Sequence, residues 1–307
     1  MTRVSSFTAF QAGVSGILDG QSKMDKAQAQ ASSQKNAWDL KGYGHNAKKL
    51  VDTRAMISRI ESRNEDLKSL EARATVEETA LTSFTEAIDN ARQALNNALA
   101  QQNGAGLDAA LESALNTAMT AANSTFAGQS IFGGVNSYDT PVIYANLNTL
   151  AAQPDTNSNF KDMGENRVVT LDEGRTIEIS KSAKEVFQPF MDFMRSLKVY
   201  ENANGTFEGK LTPAQQTWLK SQLPALETVQ NNAIGVASSQ GVTAKEITDT
   251  LSRNDEKVTR LNEIVGDVVN VDLTEVAARL SAAQTQYQAS ASIFGQLKGM
   301  NLLQYLR

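Results

Sequence analysis

The chain has no cysteine and one histidine in 307 residues. Disulfide stapling, thiol catalysis and cysteine-ligated zinc are thereby excluded, as is chemistry that needs several imidazoles. Aromatic residues make up 6% of the chain and prolines number only 5. Few aromatics beside abundant Ala, Gln, Ser and Asn suit long helices packed through small side chains better than a compact enzyme core. The net charge of −5 is too acidic for a protein that neutralises phosphates, so no nucleic-acid partner is expected. No apolar run approaches the roughly 20 residues that cross a bilayer, so no membrane insertion is expected. The opening Met1-Thr-Arg-Val-Ser-Ser-Phe-Thr-Ala-Phe10 lacks the apolar stretch and small-residue site of a cleaved secretory signal.

What the chain has instead is heptad spacing at both ends. Phe10, Ile17, Met24, Ala31 and Trp38 recur every seventh residue, with Phe7 and Val14 between them. Near the other end Leu273, Leu280, Tyr287 and Phe294 do the same, accompanied by Val276, Ala283 and Leu297. A seven-residue apolar repeat keeps one seam turned towards a partner helix along its length. The N-terminal helix also holds Gly13, Gly16 and Gly20, each costing about 1 kcal/mol relative to alanine, so it needs a partner to stand. The final Asn301-Leu-Leu-Gln-Tyr-Leu-Arg307 is apolar where termini are normally polar, which points to burial against other copies of the chain.

Between the ends, Gly42 and Gly44 break the first helix, and a long helical pattern runs from about Asn46 to Ala100. Its core row is Ile60, Leu67, Ala74, Leu81, Ile88 and Leu95. At 1.5 Å per residue that helix would be about 80 Å long, against a diameter of roughly 50 Å for a globule of this size. The expected shape is a rod. A turn at Asn103–Gly106 leads to a third helix with Leu107, Leu111 and Leu115. Helical periodicity then disappears over about 139–182, where Pro141–Tyr144 reads as a strand and Arg167–Leu171 with Thr176–Ile179 as a hairpin. A less regular helical section covers 183–220, and helix dominates from Pro224 onward with a pause expected near Gly241.

The fold expected is mainly α: an elongated antiparallel rod, or coiled coil, of N- and C-terminal helices with a small mixed α/β insert at its distal tip. The division expected is 1–44 with 265–307 as the assembly core, 45–137 with 225–264 as the long-helix rod, and 138–224 as the outer insert.

The chemistry-bearing residues form no constellation. His45 lacks partners and reads as a loop residue. The glycine pairs lack the strand, helix and lysine of a phosphate loop. Glu77-Glu78 reads as part of a solvated helix face. An enzyme acting on polysaccharide would need converging carboxylates in the insert, which offers only Asp172, Glu173 and Glu178. No catalytic, cofactor or metal residues are therefore assigned. A coiled-coil adaptor or secreted effector is the reading from a different class; a signalling rod would need a membrane span or an output domain.

Several segments resemble a known family. Val271-Asp-Leu-Thr-Glu-Val-Ala-Ala-Arg-Leu280, the stretch Gln284–Gln296 and the ending Leu302-Leu-Gln-Tyr-Leu306 are similar to the C-terminal region of the bacterial flagellin superfamily. Phe126-Ala-Gly-Gln-Ser-Ile-Phe-Gly-Gly-Val-Asn-Ser137 is most similar to its hook-associated, hook–filament junction branch. The family's Ser/Thr-Gly-Lys signature with paired aspartates is replaced by Ser32-Ser-Gln-Lys-Asn-Ala-Trp-Asp-Leu-Lys-Gly-Tyr-Gly44. The resemblance implies a structural subunit of the bacterial flagellum. Such subunits are exported unfolded through the flagellar type III apparatus without signal cleavage, with help from a cytoplasmic chaperone, and assemble extracellularly. The implied partners are further copies of the chain, the hook-side junction protein and flagellin. A junction protein and a short flagellin forming the filament itself both remain open. The assembly seam expected is Phe7, Phe10, Val14 and Ile17 against Leu280, Tyr287, Phe294, Leu297, Leu302, Leu303 and Leu306.

Overall fold

The computed structural model describes residues 2–303 except 163 and 173, and the side chains of residue 8 and of most residues from 10 to 296. The described chain is mainly α, with two small antiparallel β pairs. In order it forms α1 (Thr2–Ser33), α2 (Asn46–Gln101), α3 (Leu107–Ala122), β1 (Thr125–Phe126), β2 (Gln129–Ser130), α4 (Leu147–Ala152), β3 (Val168–Asp172), β4 (Arg175–Glu178), α5 (Ala183–Asn204), α6 (Pro213–Val269) and α7 (Leu273–Leu303). Two compact units divide it: residues 1–62 with 255–307, and residues 63–254. The long helices α2 and α6 contribute to both.

In the first unit α1 lies antiparallel to α7, and a set of backbone and amide hydrogen bonds fixes their register. The chain leaves α1 at Gln34, whose φ of 58° turns the backbone out of the helix. The Asn36 amide donates to the Val269 carbonyl at 2.8 Å, and the Val271 amide to that of Gln34 at 3.2 Å. The Asn36 side chain donates to the carbonyls of Val268 (3.0 Å) and Asn270 (2.8 Å), satisfying orphan acceptors at the end of α6. Asp272 then caps α7, its carboxylate accepting from the Thr274 amide at 2.8 Å. Among the described residues, the buried apolar side chains of this unit are few and mostly small or medium: Ala27, Leu50, Ile57, Val269, Val276 and Ala283.

The second unit is a helical bundle with a deep core. Leu81, Phe84, Ile88 and Leu95 of α2 meet Leu111 and Leu115 of α3, Phe187 and Phe190 of α5, and Leu219 and Leu226 of α6, all buried. Phe84 sits 4.4 Å from Phe187 and 5.7 Å from Phe190, ring centre to ring centre, and Phe132 lies edge-on to Phe187 at 5.0 Å. Fully burying each such ring contributes about 3 kcal/mol. Lys198 of α5 bonds Asp108 of α3 at 2.5 Å and Glu201 at 2.7 Å, tying two helices together inside a poorly solvated patch. Gly104 admits the crossing chain: a Cβ there would stand 2.1 Å from the Phe207 carbonyl oxygen. The β3–β4 hairpin lays Leu171 and Ile177 on Leu67, Leu70, Ile247 and Leu251.

Several local expectations change: α1 ends at Ser33, ahead of Gly42 and Gly44, and the short helix α4 interrupts the stretch expected to be irregular. The hairpin forms, but Pro141–Tyr144 makes only a single bridge, Val142 to Phe160, rather than a strand. There is no pause at Gly241, and α6 starts at Pro213 and passes through Pro224 without ending. Burial of Leu226, Ala233, Ile247 and Leu251 along α6 outweighs the roughly 1 kcal/mol cost of a glycine. The Glu77 side chain does not lie on a solvated face: it is 1% exposed, because the core stripe of α2 passes through position 77.

Candidate assembly surface

Helices α1 and α7 meet through two rows of opposite character. One is the large apolar row, in which Phe10 and Phe294 pack with ring centres 5.0 Å apart. The other, three residues further along α1, consists of Gly13, Gly20 and Ala27, all buried. Here the absence of a side chain lets backbones approach. A Cβ on Gly20 would lie 3.1 Å from Tyr287 Cα and 3.2 Å from its amide nitrogen. A Cβ on Gly16 would meet Ser290 Oγ at 2.8 Å, and one on Gly13 would just touch the Phe294 ring at 3.7 Å. Val276 and Ala283 form the corresponding buried row on α7.

A polar clasp flanks the seam. Asp19 accepts from Lys23 at 2.7 Å and from the Gln286 side-chain amide at 2.9 Å, while Lys23 also reaches Gln286 at 3.3 Å. The hydrogen bonds from Lys23 and then Gln286 hold the Asp19 carboxyl below its usual range. Backbone amides of Thr274 and Glu275 do the same for Asp272 at the start of α7.

Of the residues expected to form the seam, Val14, Ile17, Leu280, Tyr287 and Phe294 are half-buried, and Phe10 is 39% exposed. The side chains of Phe7, Leu297, Leu302 and Leu303, and the whole of Leu306, lie outside the described residues. Leu18 and Ile293 are 62% and 54% exposed, and Leu273, Trp38, Val51 and Met56 are exposed as well. The pair of helices thus buries one narrow seam and leaves apolar side chains on its outside. The sequence reading missed the Gly13–Gly20–Ala27 row. Its signal was present in the seven-residue spacing of small residues, but glycine carries no apolar weight.

Among the described residues no group of three His, Cys, Asp or Glu side chains could hold a metal ion. No described helix is long and apolar enough to cross a membrane. A groove of about 720 Å³ between α2 and α3 is lined by Thr79, Ala80, Ser83, Ser113, Thr117 and Thr120 among others. Its one carboxylate, Glu112, accepts from the Leu147 amide at 2.9 Å.

Residues 223–306 match the family model for the bacterial flagellin C-terminal helical region. No curated protein matches the chain in sequence. In three dimensions the chain is similar to a protein described as a flagellar hook-associated protein from Vibrio parahaemolyticus, with a TM-score of 0.58 and 18% identity, over 73% of this chain and 97% of that one. It is likewise similar to FlgL of Bacillus cereus, with a TM-score of 0.53 and 16% identity, over 70% of this chain and 99% of that one. The resemblance to the flagellin superfamily read from the sequence is thus supported by a family match in the C-terminal region and by the fold.

Proposed function

We propose that this chain is a structural subunit of the bacterial flagellum that self-assembles through α1 and α7 and joins hook to filament. The observation that carries the reading is the α1–α7 pair. It is held by a narrow seam of small residues, it leaves Leu18 and Ile293 on its outside, and its C-terminal half falls in the flagellin-matched region. An isolated pair of this kind buries too little apolar surface to be its own final state; packing against neighbouring subunits supplies the remainder. The match to the flagellin C-terminal region favours a second reading, in which the chain forms the filament itself.

In this proposal residues 1–44 and 265–307 are the assembly core, 45–137 with 225–264 the layer around it, and 138–224 the outward face. Phe7, Phe10, Val14, Ile17, Leu280, Tyr287, Phe294, Leu297, Leu302, Leu303 and Leu306 carry the contacts. The partners are further copies of the chain, the hook-side junction protein and flagellin. Export proceeds unfolded through the flagellar type III apparatus with a cytoplasmic chaperone and no signal cleavage. No catalytic step is assigned to the chain.

Immunogold labelling of intact flagella, together with a deletion strain, tests the proposal. A single band of label at the hook–filament boundary, with flagellin shed into the medium by the mutant, is the expected result. Label along the whole filament would make the chain a filament subunit. Unlabelled flagella and normal swimming would overturn both readings. A chain truncated of residues 297–307 is expected to lose assembly while residues 63–254 remain folded.

A further inference from the structure

Two core-facing positions of α2 hold charged side chains, Arg73 at 4% exposure and Glu77 at 1%. They stand one helical turn apart, at the spacing of an ion pair. Yet Arg73 is turned elsewhere. Its Nη2 donates to the Ile131 carbonyl at 2.6 Å and to the Ser130 carbonyl at 3.4 Å, fastening the chain at the end of β2 to the long helix. Arg73 Nε, Glu77 Oε1 and Ser130 Oγ are left buried without hydrogen-bond partners.

An ionised carboxylate enclosed in this way loses its hydration and gains little in return, so the neutral form is favoured. Burial pushes Glu77 up to about 8, with the Arg73 charge pulling in the opposite direction. Burial also lowers Arg73, with Glu77 opposing that and Arg167 adding to it. Arg73 is the charged group that acts on Glu77, from the same helix. Arg167, just ahead of β3, acts on Arg73 and donates to Gln129 beside Ser130 at 3.2 Å.

We propose that Glu77 is a proton-operated catch. Protonated, it leaves Arg73 free to hold the Ser130 and Ile131 carbonyls; ionised, with its proton released to solvent, it draws Arg73 away and loosens residues 125–137 from α2. That segment leads directly to Tyr138, which is 84% exposed and receives a hydrogen bond from Gln129 at 3.1 Å. The catch therefore governs how firmly the segment leading to the exposed Tyr138 is anchored. The sign follows from the direction of the shift. The attachment is firmest below the ordinary glutamate value of 4.5 and weakens as pH rises towards about 8.

Amide hydrogen exchange at Ser130 and Ile131, corrected for the intrinsic rate, reads the catch. Ser130 donates to the Ser137 carbonyl at 2.5 Å and Ile131 to that of Ser124 at 3.0 Å, so both amides report on the segment. Their opening constants are expected to rise by up to about tenfold per pH unit between pH 5 and 8 in the wild-type chain. They should stay flat in Glu77→Gln and be raised at every pH in Arg73→Met. An equal rise in Glu77→Gln, or no rise in the wild type, would overturn the proposal. Carboxyl carbon NMR of the unaltered protein gives an independent reading: a Glu77 midpoint in the ordinary glutamate range would also overturn it.

Discussion

The α1–α7 pair and the bundle of residues 63–254 are both helix packed on helix, yet they are built from opposite materials. The bundle is closed by Phe84, Phe132, Phe187 and Phe190, each at most 1% exposed, with aliphatic residues of α2, α3, α4, α5 and α6 in the same core. Among the described residues the α1–α7 pair is closed by Gly13, Gly20, Ala27, Val276 and Ala283, while Phe10, one of its large apolar side chains, stays 39% exposed. Large rings bury enough surface to hold a fold alone. Close backbones without side chains give good contact but little transferred area. In the proposed function the first material suits a part that holds its fold by itself, the second a part that is completed by its neighbours.

That contrast can be broken from either side. The largest expected effect is from Phe84→Ala, which removes a ring in contact with two others and should cost about 3–5 kcal/mol of the bundle's stability in a denaturant titration. Lys198→Ala should cost about 3 kcal/mol in the same titration, since it leaves the nearly buried Glu201 without its cation. The same cluster has a pH signature. Burial lowers Lys198, but the hydrogen bonds to Asp108 and Glu201 outweigh this and raise it above the usual 10.5. Its contribution is therefore fully present below that value and lost only as the pH climbs beyond it.

On the other side, Gly20→Leu should cost about 1–3 kcal/mol, confined to the α1–α7 pair, because the new side chain would meet Tyr287 backbone atoms. Circular dichroism should show a loss of helix before any change in the bundle's main transition, and assembly should fail. The smallest effect is expected from Asp272→Ala, which removes the cap of α7. The wild-type cap is present above the ordinary aspartate value of 3.8 and fades as pH falls below it, since hydrogen bonds lower this carboxyl. Faster exchange at the Thr274 and Glu275 amides, with the bundle unaffected, would register it.

Much of this architecture was legible from period alone. The Ile60–Leu95 row predicts α2 to within a residue at its C-terminal end, and Phe10, Ile17, Tyr287 and Phe294 predict that the two chain ends pair. What escaped did so for identifiable reasons. Gly13 and Gly20 read as weaknesses of α1 because propensity counts what a residue lacks, whereas the contact with Tyr287 depends on that lack. Gly241 read as a break because its local cost was visible, while the burial of Ile247 and Leu251 that offsets it was not. Glu77 read as a surface residue because glutamate rarely enters a core. Only the fold brings Ser130 and Ile131 to Arg73 and buries Glu77 one turn further along α2.

The most direct test of the account is amide hydrogen exchange on the free subunit and on the assembled form, resolved by segment. The account predicts weak protection of α1 and α7 in the free subunit, strong protection of both after assembly, and an α3–α5 region equally protected in the two states. Strong protection of α1 and α7 already in the free chain, unchanged on assembly, would contradict it.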